Sequence, residues 1–301
     1  MQQCAMAIVL GPNQYGKAEV RVVAVDRSTP RQSLVDLNVS SSLRGDFAAA
    51  HTAGDNSHVL TTDAQKNTVF AFARDGVGSP EQFALRLARH FAGTYDWITG
   101  ARVAVESYGW ARIAVGGQPH DHAFRRTGGE VRTAVVTVDG DDVHVLAGLT
   151  DLVVLKTTGS EFWGFPRDRY TTLAETNDRI LATAVTARWR YTSLDLDFDA
   201  AFDGVRTALL ETFASTHSYA LQQSLYAMGE AVLQQVPDVA EIRLSMPNKH
   251  HFLQDLSAFG LDNPDVVYNA DDRPYGLIEG SVLRDDVPPA DVAWEGTPGF
   301  C

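Results

Sequence analysis

The sequence predicts an α+β protein of two tandem units, each an antiparallel sheet with helices covering one face. Three observations carry this reading. Two runs recur in the same order: "EVRVVAVD" (Glu19 to Asp26) matches "EVRTAVVTVD" (Glu130 to Asp139), and "VLTTDAQKNTVFAFARD" (Val59 to Asp75) is echoed by "VLKTTGSEFWGFPRD" (Val154 to Asp168). A helical segment follows each pair. A second strand-like run follows each helical segment.

The four paired runs are rich in β-branched and aromatic residues, so all four read as strands. The first helical segment is "SPEQFALRLARHF", with Ser79 as N-cap, Pro80 at the first helical position and Gln82 closing a capping box. Ala84, Leu87, Ala88 and Phe91 fall on one face of it. The second spans about Asp199 to Gln235, long enough for two helices, with Leu210, Phe213, Leu221, Leu225, Met228 and Val232 near helical spacing. "ARVAVESYGWARI" and "VAEIRLSM" complete the two halves as strands. Hairpin-linked strands make an antiparallel sheet, and helices on one face leave the other in need of a partner, which predicts a multimer. Two glycines in "RTGGEV" (Arg126 to Val131) mark the join and divide the chain into domains 1–127 and 128–301.

The 301 residues are 45% apolar and 21% charged, ordinary material for a packed core. With 25 basic against 38 acidic residues the net charge is −13, which disfavours nucleic acid and anionic membrane as partners. Only Cys4 and Cys301 occur, so neither a disulfide framework nor a thiolate metal site is expected. The start "MQQCAMAIVLG" lacks a basic n-region, and no apolar run approaches a membrane span. A cytoplasmic protein is the expectation.

Chemistry concentrates in few places. In "PNKHHF", strand alternation sets Asn248, His250 and Phe252 on one side and Lys249 and His251 on the other, so the two imidazoles cannot share one metal ion. The alternative is a polar strand end near water. His120 and His122 in "PHDHAF" have better chelate spacing, but no third-ligand motif accompanies them. Lys17 precedes a strand. A lysine serves as a base only where burial or a nearby cation favours its neutral form. The Thr62 hydroxyl can relay a proton but cannot alone be a base. "SEFWGFPRDRYTTL" clusters aromatics shortly before Arg179. An aromatic face with a two-pronged guanidinium can hold a flat heterocycle, and core packing with a surface arginine is the plainer alternative.

Together "NQYGKAEVR", "VLTTDAQKNTVFAFAR", "TGSEFWGFPRDRYTTLAETNDRILAT", "LQQSLYAMGEAV", "PNKHHF" and "RPYGLIEG" resemble the urate oxidase (uricase) family, in order, from about Asn13 to Arg284. The resemblance implies tandem T-fold domains assembled as a homotetramer around a tunnel. It also implies oxidation of urate by O₂ and water to 5-hydroxyisourate and hydrogen peroxide without metal or organic cofactor. Lys17, Thr62 and His250 match the family's proton-relay positions. Phe162 matches its ring-stacking aromatic, and Arg179 and Gln222 match the side chains that clamp the purine. Leu221 matches a backbone N–H donor, and Asn248 the residue that, with Thr62, holds O₂ or water above the ring. Thr62 and Asp63 are expected to reach urate from a neighbouring subunit. In this reading Lys249 and His251 are bystanders.

Two rivals remain from the residues. A pterin- or purine-acting T-fold enzyme would rely on a metal site or a reactive cysteine, and both cysteines lie outside every motif. A non-catalytic purine-binding protein would have little reason to keep Lys17, Thr62 and His250 together. The loop "WARIAVGGQPHDHAF" and the acidic tail "RDDVPPADVAWEGTPGFC" are where the match is weakest.

Overall fold

Strand alternation and capped amphipathic helices organise the computed structural model, which describes residues 7–297. Cys4 and Cys301 lie outside the described residues. The chain divides into two compact units, one holding residues up to Arg126 with Thr133–Val145, the other Thr127–Arg132 with residues from Leu146 onward.

In the first unit, β1 (Tyr15–Asp26) and β2 (Ser33–Gly45) form an antiparallel pair. Helices α1 (Ala48–Ala53), α2 (Thr62–Arg74) and α3 (Pro80–Thr94) follow, then β3 (Ile98–Val115) and β4 (Gln118–Asp139). The strand order is β1-β2-β3-β4. The capping box at Ser79 and Gln82 forms as expected, and Ala84, Leu87, Ala88 and Phe91 are fully buried. Each large apolar side chain so placed contributes about 1.5–3 kcal/mol. Helix α2 packs on β1 and α3 on β3.

In the second unit, β5 (Asp142–Lys156) pairs with β6 (Leu181–Tyr191), and α4 (Phe198–Ser215) and α5 (Leu221–Gln235) follow. Next come β7 (Val239–Pro247), a small hairpin of β8 (His250–Leu253) and β9 (Tyr268–Asp271), then β10 (Leu277–Leu283) and the short α6 (Asp291–Trp294). The main order is β5-β6-β7-β10, with α5 packed on β7 and β10. The long helical segment is thus two helices. Phe213, Leu221, Leu225, Met228 and Val232 are buried as spaced, whereas Leu210 is half-exposed and Leu209 takes the core position.

Two strand expectations are overturned. Residues 59–75 hold helix α2: the Thr61 side chain accepts from the Ala64 N–H as its N-cap, and Gln65, Val69 and Ala73 make a buried stripe at four-residue spacing. Of residues 154–168 only 154–156 continue β5. The aromatics beyond are irregular chain pinned by single bridges. The second strand of each unit is β2 or β6 instead. "EVRTAVVTVD" is a strand, the last of the first unit's order.

The clearest internal repeat is in the ladders. The β1–β2 register slips between Lys17 and Val20, where Glu19 has φ 57°. The β5–β6 register slips between Leu149 and Leu152, where Asp151 has φ 57°. Both are β-bulges, which re-aim the side chains around them. No helix among the described residues is long and apolar enough to cross a membrane.

Candidate active site

A cavity of about 530 Å³ opens in the second unit, with Phe162, Arg179, Leu221, Gln222, Asn248 and His250 among its lining residues. Residues 157–180, between β5 and β6, supply its aromatic and cationic wall. Phe162 and Thr176 exchange backbone hydrogen bonds of 2.9 and 3.0 Å, which fixes where the Phe162 ring stands. The Arg179 guanidinium carbon lies 5.0 Å from that ring's centroid. Burial pushes the Arg179 pKa down from its ordinary value, and its buried Nε has no hydrogen-bond partner. A half-buried guanidinium without a carboxylate is costly, and a bound carbonyl or anion relieves that cost.

Helix α5 supplies a second wall. Its N-cap is Ala220, which has no side chain to accept from the helix start. The first-turn N–H groups, Leu221 and Gln222 among them, are therefore left for a ligand oxygen. On the third wall, the Asn248 N–H donates to the Gly276 carbonyl (2.8 Å) and the Lys249 N–H to that of Ala182 (2.9 Å). His250 opens β8 opposite Asp271, and its ring stacks on Phe252 with centroids 5.6 Å apart, as alternation expects. His251 departs from the bystander expectation: it lines the same cavity, its Nδ1 lying 3.0 Å from the Lys249 carbonyl. The hairpin end is short and half-exposed, so a cavity can touch both of its faces.

Lys17, Thr62 and Asp63 belong to the first unit. Thr62 is the first residue of α2 and Asp63 stands in its first turn. The Lys66 ammonium, with a smaller contribution from Lys17, holds the Asp63 carboxyl below the usual range. The Lys17 N–H donates to Ser41 Oγ (3.4 Å), and the Ser41 hydroxyl donates to the buried Gln65 Oε1 (2.8 Å). Lys17 and the start of α2 thus share one polar cluster.

His120 and His122 sit on β4 with ring centroids 4.5 Å apart. Among the described residues no group of three or more His, Cys, Asp or Glu is arranged to hold a metal. Three further lining residues, Asp178, Asp265 and Tyr268, were not anticipated. The signal for the first was its place beside Arg179; of the other two, Asp265 lies in the loop joining β8 to β9 and Tyr268 opens β9, and neither carries a local signature.

A family model described as Uricase matches residues 13–137 and 145–279. The chain belongs to the uricase family. The uricase of Arthrobacter globiformis is 57% identical over 294 residues, covering 98% of this chain and 96% of its own. The crystal structure of uricase from that organism superposes with a TM-score of 0.92, covering 96% of this chain and 99% of that one. The uricase of Dictyostelium discoideum is 38% identical over 277 residues, covering 90% and 96%. The match to the uricase family model stops at residue 279, so the acidic tail that bears α6 lies beyond it.

Proposed function

We propose that this protein oxidises urate with O₂ and water to 5-hydroxyisourate and hydrogen peroxide, using neither metal nor organic cofactor. The observation that carries the reading is the unpaired Arg179 guanidinium beside the Phe162 ring, across a cavity from an uncapped helix start. Urate is flat and carries adjacent N–H and carbonyl groups. Phe162 takes its face, Arg179 and Gln222 take its two ends, and the Leu221 N–H takes a ring carbonyl or nitrogen.

Two electrons and two protons leave the purine and reduce O₂ to hydrogen peroxide. Water then adds its hydroxyl at the oxidised ring carbon and releases a proton. Difficult O₂ chemistry usually borrows a cofactor, but deprotonated urate is electron-rich enough to reduce O₂ itself. The chain's tasks are then deprotonation, rigid placement and a polar pocket above the ring. Lys17 is the base, Thr62 relays the proton, and His250 orients that pair. Asn248, with Thr62, holds O₂ or water.

The lining set lies in one unit and the Lys17–Thr62–Asp63 set in the other. We further propose a homotetramer around a tunnel, as the family resemblance implies, in which Thr62 and Asp63 reach urate bound on a neighbouring subunit. Exposed Val23 on β1, Val153 and Leu155 on β5 and Leu283 on β10 supply apolar surface for self-association. Two tandem T-fold domains and a cytoplasmic setting complete the reading.

The test is loss of urate's ultraviolet absorbance in aerated buffer with a chelator present, alongside a peroxide assay. Urate loss with matching peroxide is the expected result. Activity only on adding metal would overturn the cofactor-free mechanism, and tight urate binding without peroxide would point to a binding protein.

A further inference from the structure

Asp178 lines the cavity next to Arg179, yet its carboxylate takes backbone and hydroxyl partners rather than the guanidinium. Oδ1 accepts from the Gly159 N–H (3.0 Å) and the Arg179 N–H (3.0 Å), and Oδ2 from the Thr158 hydroxyl (2.6 Å). The Thr176 hydroxyl donates to the Asp178 carbonyl (2.5 Å). With the Phe162–Thr176 exchange, two crosslinks tie 158–162 to 176–179. One segment carries the aromatic ring, the other the guanidinium.

The network continues into the second wall. The Ser218 N–H donates to the Gly159 carbonyl (2.9 Å), and the Glu161 N–H donates to the Ser218 carbonyl (2.8 Å). Ser224 on α5 donates its hydroxyl to Ser218 Oγ (2.8 Å), and both serines are buried. A hub receiving three donors on two oxygens needs a group that only accepts, which an ionised carboxylate is and an amide is not. The Thr158 hydroxyl, foremost among its partners, holds the Asp178 carboxyl below the usual range, so it stays ionised near neutrality.

We propose that Asp178 is the positioning residue of the purine clamp. It fixes the Phe162 ring against the Arg179 guanidinium and, through Gly159 and Ser218, sets both in register with the start of α5. This rests on the urate reading, and it places Asp178 in contact with the clamp rather than with reacting atoms. A flat ligand gripped at its face and two ends requires all three in register, and a clamp moved out of line gives up ligand hydrogen bonds worth about ten- to a hundredfold in affinity.

The experiment compares wild type, Asp178→Ala, Asp178→Asn and Thr158→Val. It measures anaerobic urate Kd, aerobic kcat and KM, and thermal midpoint. Asp178→Ala is expected to raise Kd and KM about ten- to a hundredfold, with a smaller change in kcat and a near-native midpoint. Asp178→Asn keeps one accepting oxygen and falls between; Thr158→Val, losing one bond, shifts Kd a few-fold. Asp178→Ala with Kd and KM within about twofold of wild type, or with kcat alone reduced, overturns the proposal. If Asp178→Ala does not fold, Thr158→Val decides, and a wild-type Kd there overturns it too. Wild type that binds urate without consuming it sinks the oxidase reading while the Kd series still judges Asp178. Wild type that does neither ends both.

Discussion

In β1 the bulge at Glu19 follows Gly16-Lys17; in β5 the bulge at Asp151 follows Gly148-Leu149. The two ladders slip at the same place relative to that glycine, and the residue after it pairs with Ser41 in one unit and Ala187 in the other. Around Lys17 the chain built Ser41 and the buried Gln65. Around Leu149 it built an apolar pocket with Ala187, both fully buried. One backbone device therefore presents a lysine in one unit and seals a core in the other. The connections differ in the opposite sense: residues 27–32 merely turn between β1 and β2, whereas residues 157–180 build a wall of the cavity between β5 and β6. Duplicated backbones keep their geometry and divide the chemistry between them.

The sharpest way to break this comparison is Lys17→Leu, which writes the second unit's residue into the first. The fold should survive, because Leu149 already occupies that conformation. Urate turnover should fall about 10²- to 10⁴-fold, the usual worth of a positioned base. Circular dichroism and steady-state kinetics on one preparation check both halves, and near-native turnover would remove Lys17 from the relay.

Gly16→Ala attacks the shared backbone instead. A Cβ there would stand 1.7 Å from the Ser41 carbonyl oxygen, so β1 must move away from β2. A loss of about 3–5 kcal/mol is expected, in the range reserved for severe steric faults. Denaturant melts read it, and an unchanged midpoint would mean the close approach is absent in solution.

Ser41→Ala copies Ala187 and leaves Gln65 Oε1 without its donor in a fully buried site. The cost should be about 1–3 kcal/mol. Combining it with Lys17→Leu tests whether the two act as one cluster, and strictly additive losses would say that they do not.

The smallest effect is expected at Glu161, beside Phe162. The His217 ring, then the Trp163 indole N–H, hold its carboxyl below the usual range. A depressed carboxyl adds stability above its ordinary pKa and loses it as pH falls through the depressed one. Glu161→Gln should therefore lower the melting temperature slightly near neutrality, and the gap should close in acid. A gap that widened in acid would reverse the sign and the assignment.

Much of this was legible in the linear chain where one local rule acted alone. Ser79 through Gln82 reads as a helix start, and Glu19 to Val23 alternates between exposed and buried. Helix α2 was hidden because its buried stripe opens with Gln65, a polar residue whose side-chain oxygen is satisfied by tertiary contact with Ser41. Strand β2 was hidden for the same reason: Ser41 shares the buried face with Leu37, Val39 and Leu43. The aromatics of 154–168 suggested a strand because cavity walls and sheets both favour flat side chains. Six of the lining residues could be named from motifs, but not Asp178, whose partners are backbone N–H groups that exist as donors only once two distant segments meet.

The uncapped start of α5 has a thermodynamic meaning of its own. A helix whose N-cap is alanine is an unfinished secondary structure, and whatever oxygen settles on its first turn completes it. Urate would then act as the missing cap as well as the cargo. The vacant protein should breathe at Leu221 and Gln222, and those amides should slow their hydrogen exchange when the purine arrives.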